Sequence, residues 1–266
     1  MHPIERLRYV ARSSGAPQDV LVHETATALA SFRDDPVALV TACRRIVSRQ
    51  LTSGPLWWLC SRMLCASDPL VEARSAVAEI AADPTGSRLA AALPQGARVA
   101  VLGWPPALSD PLARRGDLEV FVIDAVGEGS AFAHHLRSRD VDAIDVPLGG
   151  LGAAVLESDL LLVETSAAST RAFASVAGVR AAACVARHAD RPVWLVAGVG
   201  RVLPDRVWEA LTSRLDVDEP WNADEEIVPI DLVTHVVGPD GLADAASLSR
   251  QIDCPIAPEL FKHDIT

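Results

Sequence analysis

The chain has 266 residues, about half of them apolar, and a formal net charge of −11. That size supports a substantial core or two unequal domains. An acidic surface disfavours general attraction to DNA or RNA, where basic patches supply most of the affinity, so direct nucleic-acid binding is not expected.

Lys262 is the only lysine, which removes Schiff-base and P-loop mechanisms that need a lysine inside the fold. The five cysteines, Cys43, Cys60, Cys65, Cys184 and Cys254, are odd in number and form no Cys-x-x-Cys pair. They read as free thiols acting as small buried hydrophobes in a reducing cytoplasm. The opening MHPIERLRYV has no signal-peptide apolar run, and Arg62 interrupts the best apolar stretch, near Trp57. A cytoplasmic chain without a membrane span is expected.

In chain order, residues 1–93 read as an all-helical N-terminal domain. Helices are predicted over Ile4–Ala11, Asp19–Phe32, Pro36 to about Leu51, Leu56–Ala66, Pro69–Ala82 and from Pro84 to near Leu93. The pairs Asp35-Pro36, Asp68-Pro69 and Asp83-Pro84 each offer an N-cap aspartate followed by a first-turn proline. Trp57 and Trp58 read as core and subunit interface. Pro94-Gln95-Gly96 marks a boundary, and residues 94–266 read as a Rossmann-like α/β domain with an extended C-terminal tail.

The short apolar runs Ala97–Leu102, Leu118–Ile123, Ala143–Val146, Leu160–Val163 and Val193–Ala197 have the length of buried strands. Helices are predicted at Ser130–Arg139, Gly152–Glu157, within Arg171–Ala189, and at Asp205–Thr212. The alternation is βαβ logic, so the fold class is α/β: a helical domain followed by a mostly parallel sheet flanked by helices. Gly103–Pro106 reads as a rigid loop. Asp216–Asp231 reads as an acidic, proline-interrupted loop that Trp221 could pin. Ile230–Val237 fits a sheet edge or an ordered loop.

In such sheets ligands sit beyond the carboxyl ends of the strands, which directs attention to three turns. Gly149, Gly150 and Gly152 follow a strand and open a helix, so they read either as an anion cradle or as a tight turn needing positive φ. Glu164, Thr165 and Ser166, with Ser169 and Thr170, place one carboxylate and four hydroxyls past a strand. Glu164 is a candidate general base, and Ser169 or Thr170 alternatively a helix cap. Arg201, after Gly198-Val199-Gly200, is a candidate phosphate donor or a surface ion pair. Asp124 ends the second strand and reads as a ribose or acid–base carboxylate, or as a cap. His134 and His135 are adjacent on a helix and do not face one site, so no metal is expected; nor is any cofactor.

Several strings, in order, resemble the family of initiation factor 2B regulatory subunits (alpha, beta and delta), which includes methylthioribose-1-phosphate and ribose-1,5-bisphosphate isomerases. They are Ser158–Ser166, Arg191–Ala197, Ile230–Thr234 and Gly238–Leu242. The resemblance implies a helical N-terminal domain, a Rossmann-like C-terminal domain, a homodimer and a small phosphorylated ligand, a sugar phosphate or nucleotide. The family's isomerases use a cysteine after an early strand and an aspartate in a Gly-Ala-Asp motif. Here Leu102–Pro106 contains no cysteine, and Ser166 stands at the aspartate position. The resemblance therefore implies a degenerate binding or regulatory protein. Two alternatives stay open: an isomerase rewired around Glu164 and Asp124, and a ligand-free interaction protein whose acidic loop is the partner surface.

Overall fold

The computed structural model describes residues 18–215 and 218–262. The predicted helix at Ile4–Ala11 and residues 216–217 of the acidic loop lie outside them. The described chain begins with α1 (Gln18–Leu29), α2 (Pro36–Arg49), α3 (Gly54–Cys65), α4 (Pro69–Ala81) and α5 (Thr85–Ala92). Two of the aspartate–proline pairs act as the sequence predicts, whereas at the third Pro84 itself is the N-cap and the helix starts at Thr85. Asp35 accepts from Ala38 N at 2.9 Å, and Asp68 from Leu70 N and Val71 N. Asp83 Oδ1 accepts from Thr85 N at 2.9 Å.

The second part runs β1 (Arg98–Leu102), α6 (Pro106–Ala113), β2 (Glu119–Ile123), α7 (Gly129–Arg137), β3 (Asp142–Val146), α8 (Leu151–Glu157) and β4 (Leu160–Glu164). It continues with β5 (Ala167–Ala168), β6 (Ala172–Val176), α9 (Val179–His188), β7 (Val193–Val196), α10 (Asp205–Thr212), β8 (Glu225–Pro229), β9 (His235–Gly238) and β10 (Gly241–Asp244). The main sheet has the order β10-β9-β7-β4-β1-β2-β3. All its pairings are parallel except β9–β10.

Alternate residues of each strand enter different layers, as the two-residue side-chain period requires. Val99, Val101, Val120, Val122, Leu160 and Leu162 face one side with Leu89, Leu108 and Phe132. Ala100, Leu102, Ile123, Leu161 and Val163 face the other with Val155, Val179 and Ala182. A third cluster joins the N-terminal helices, where Trp57 and Trp58 are fully buried, to Leu203, Trp208, Cys254 and Leu260. With no exposed surface, the tryptophans are core and not interface. The C-terminal stretch is accordingly a packed strap with 3-10 turns at Ala245–Gln251 and Pro258–Phe261.

Three elements depart from the sequence expectation. Arg171–Ala189 contains β6 before its helix, and β6 pairs antiparallel with β5 and with β8 in a separate three-stranded sheet. Gly103–Pro106 leads directly into α6, which tolerates Pro111 inside its eight residues. Ile230–Val237 delivers β9, which lies between β7 and β10 and is therefore not an edge. Trp221 is 77% exposed and pins nothing. Cys65 and Cys184 are exposed, whereas Cys43, Cys60 and Cys254 are buried. No described helix is long and apolar enough to cross a membrane.

Candidate functional site

The strand order decides where the site lies. The chain leaves β1 for β2 and β3 on one flank, then returns to place β4, β7 and β9 on the other. The reversal falls between β1 and β4, and at such a switch point the two loops diverge and leave a crevice beyond the strand ends. A cleft of about 600 Å³ occupies that position. Its walls include Leu102 at the end of β1 with Trp104–Pro106 beyond it, Val126 and Glu128 after β2, Glu164 at the end of β4 with Ser166 beyond it, and Arg201 after β7. Ser175 and Val176 of β6 and Asp224 and Glu225 at the start of β8 add one side. Gln18, Gln50, Thr52 and Ser53 of the helical region close it.

Glu164 and Arg201 meet at the floor. The Arg201 guanidinium donates from Nη1 to Glu164 Oε1 at 2.7 Å and also to the Thr165 carbonyl. Glu164 Oε2 accepts from Ala107 N in the first turn of α6 at 2.9 Å. Both side chains are only 11% exposed. Each carboxylate oxygen therefore already has a donor, one cationic and one at a helix start, and the carboxylate is fixed in orientation. Arg201 Nε and Nη2 donate to no described residue, so part of the guanidinium remains for an acceptor in the cleft.

Glycines in the turn before Arg201 set this arrangement. Gly200 has φ +74°, and a Cβ there would lie 3.0 Å from the Trp58 ring. A Cβ on Gly198 would lie 2.3 Å from Asp83 Oδ2. That oxygen accepts from Val199 N at 2.9 Å, while Asp83 Oδ1 accepts from Thr85 Oγ1 at 2.6 Å. One aspartate thus begins α5 and clamps the Arg201 turn to the helical region. Gly54 N similarly donates to the Ser166 carbonyl at 3.0 Å, where a side chain would meet backbone.

The other sequence candidates have different positions. Asp124 Oδ1 accepts from Gly129 N at 2.8 Å and holds the start of α7, and it does not line the cleft. Thr165 is fully buried; its hydroxyl lies 2.7 Å from the Ala167 carbonyl and 2.8 Å from that of Ala174, inside the connection to β6. Ser169 shapes the β5–β6 turn by accepting from Arg171 N, rather than capping a helix. Gly149, Gly150 and Gly152 follow β3 at the outer edge of the sheet, with Gly149 and Gly150 in a 3-10 turn. None has positive φ and none lines the cleft, because β3 exits two strands away from the switch point. Among the described residues no His, Cys, Asp and Glu side chains form a group able to hold a metal ion.

Sequence reasoning missed Trp104. Its ring lines the cleft, is 37% exposed, and lies with its centroid 5.6 Å from Phe132 and 5.4 Å from His135. The sequence signal was an aromatic residue directly after a strand, followed by two prolines that restrict the backbone. Ser175 was missed with β6; its hydroxyl donates to the Glu164 carbonyl at 2.7 Å.

The architecture matches known structures closely. A translation initiation factor eIF-2B from Pyrococcus horikoshii OT3 superposes with a TM-score of 0.73 at 12% identity, covering 91% of this chain and 96% of that one. eIF2B beta from Chaetomium thermophilum gives 0.74 at 15% identity, covering 97% and 91%. A chain of the tetrameric eIF2B-beta2-delta2 complex from the same organism gives 0.71 at 17%, covering 93% and 92%. This chain has the initiation-factor-2B fold. No protein-family model matches the sequence, and no curated protein sequence matches it significantly. At these identities the initiation-factor-2B likeness is one of fold, and it spans nearly the whole length of each structure.

Proposed function

We propose that this chain is a non-catalytic binding or regulatory protein built on the initiation-factor-2B fold, and that its switch-point cleft takes one small sugar-bearing ligand. The observation that carries this reading is the double engagement of Glu164 by Arg201 and by Ala107 N. Both carboxylate oxygens of Glu164 are engaged by protein donors, and Asp124, the other candidate carboxylate, is turned to α7. An isomerase rewired around Glu164 and Asp124 would therefore lack a free acid–base pair, which favours holding a ligand over converting it.

The walls also narrow the ligand. Trp104 offers an aromatic face, and Ser166, Ser53 and Thr52 offer hydroxyls suited to a sugar. Glu128, Glu164, Asp224 and Glu225 stand against one guanidinium, Arg201. That balance disfavours a bisphosphate and favours a nucleoside or its monophosphate, with the base against Trp104 and any phosphate at Arg201. Gly149, Gly150, Gly152 and Thr165 have no place in this binding scheme.

The test is a thermal-shift comparison of ribose phosphates, nucleosides and nucleoside monophosphates on the wild type and Trp104→Ala. Stabilisation by a base-bearing compound, lost in the variant, supports the reading; a flat response across the panel removes it. Conversion of ribose-1,5-bisphosphate or methylthioribose-1-phosphate, abolished by Glu164→Gln, would replace it with the isomerase reading. Self-association belongs to the same proposal. The beta2-delta2 tetramer shows that C. thermophilum subunits of this fold assemble, and light scattering at a dimer mass is the expected result here.

A further inference from the structure

A second hollow of about 600 Å³ lies away from the cleft, beside the amino-terminal ends of β7 and β9. Its polar walls come from separate elements: Arg187 in the last turn of α9, Asp231 and Thr234 before β9, His235 at its first position, Asp244 opposite His235 on β10, and Ser249. We propose that this hollow binds a small zwitterion carrying both an ammonium and a carboxylate, that is, a free amino acid or a close analogue.

The charges that line this hollow lack charged partners of their own among the described residues. Arg187, Asp231 and Asp244 all line the hollow, and none forms an ion pair among the described residues. They are not paired with one another, yet they border one space. Asp244 accepts only from Ala246 N, through Oδ1. A ligand with one sign of charge would meet repulsion from part of this wall, whereas a zwitterion matches both parts.

The histidine adds a third constraint. Thr234 Oγ1 accepts from Val193 N at 3.0 Å and lies 2.9 Å from both Val193 O and His235 Nδ1. The arrangement that satisfies every group has the hydroxyl donating to the Val193 carbonyl and Nδ1–H donating to the hydroxyl. In that tautomer Nε2 is an acceptor. With Asp231, Asp244 and this nitrogen as acceptors and Arg187 as the cationic donor, the ammonium belongs at the aspartates and the carboxylate at Arg187. A wall with two carboxylates disfavours a simple phosphate, whose negative charge they repel.

The experiment is titration calorimetry of the chain with each standard amino acid, and with ethylamine, acetate and inorganic phosphate as probes of single charge. The variants are Arg187→Gln and Asp231→Asn; both side chains are exposed, so folding is not at risk. At least one amino acid is expected to bind with Kd below about 1 mM, and each variant to weaken it about tenfold or more. The single-charge probes should bind at least about tenfold more weakly than that amino acid. No binding by any amino acid, unchanged affinity in both variants, or equal affinity for phosphate would each overturn the assignment. Neither residue lines the switch-point cleft, so failure of the ligand reading there leaves this result intact.

Discussion

The Glu164 carboxylate and the Arg201 guanidinium, 37 positions apart in sequence, meet at 2.7 Å on the floor of the switch-point cleft. Both side chains are almost fully withdrawn from water, so each depends on the other. Arg201→Ala leaves a buried carboxylate with only the Ala107 amide and should cost about 3–5 kcal/mol. Arg201→Met combined with Glu164→Gln should restore a good part of that loss, because no charge then remains unpaired. Urea denaturation of the single and double variants measures both. An Arg201→Ala loss below about 1 kcal/mol would mean the pair is effectively solvated.

The Arg201 turn should tolerate no side chain at its glycines. Gly200→Ala places a Cβ against the Trp58 ring at a backbone angle that L residues rarely adopt, and it should destabilise by about 1–3 kcal/mol. Asp83→Ala removes the acceptor for Thr85 N, Thr85 Oγ1 and Val199 N, for about 2 kcal/mol. Because Asp83 holds the turn, it should also weaken ligand binding in the cleft, although it does not line it. Melting curves and ligand titration of the two variants provide the check.

Acid should weaken the helical region through Glu79. Arg62 donates to Glu79 at 2.6 Å and also reaches Glu72, with its guanidinium 4.5 Å above the Trp58 ring. The hydrogen bond from Arg62 holds the Glu79 carboxyl below its ordinary 4.5. A depressed folded-state pKa means stability that is fully present above 4.5 and is lost as pH falls through the lower folded value. Glu79 is 41% exposed, so the share is modest, about 0.5–1 kcal/mol. Asp253, raised by burial, acts in the opposite direction: it favours the fold when protonated and disfavours it as pH rises through its raised value. Glu79→Gln should therefore be less stable at neutral pH and should lose less stability below pH 4.5 than the wild type.

Much of the layer architecture was legible because its signals are local. Asp35 and Asp68 cap their helices by contacts within three residues, and apolar runs of four or five residues have the length of buried strands between helices. The resemblance in Ser158–Ser166 and Arg191–Ala197 named the fold. What escaped depends on partners distant in sequence. β6 is short and alanine-rich, so Ala172–Val176 has no strand pattern of its own and acquires one from β8, more than forty residues later. Glu164 and Arg201 were both singled out, yet only the fold shows that they bind each other. Asp124 and the Gly149–Gly152 run have the composition of a site, but the sheet order sends one to a helix start and the other to the rim.

The central claim is that the switch-point cleft binds a base-bearing sugar without converting it. The most direct measurement is titration calorimetry of the common nucleosides and their monophosphates into the wild type, Trp104→Ala and Ser166→Trp, with product analysis of each mixture. The account predicts saturable binding to the wild type, about tenfold or more weaker in Trp104→Ala, abolished when Ser166→Trp fills the cleft, and ligand recovered unchanged. Binding that survives both substitutions, or a ligand recovered as an isomerised product, would contradict it.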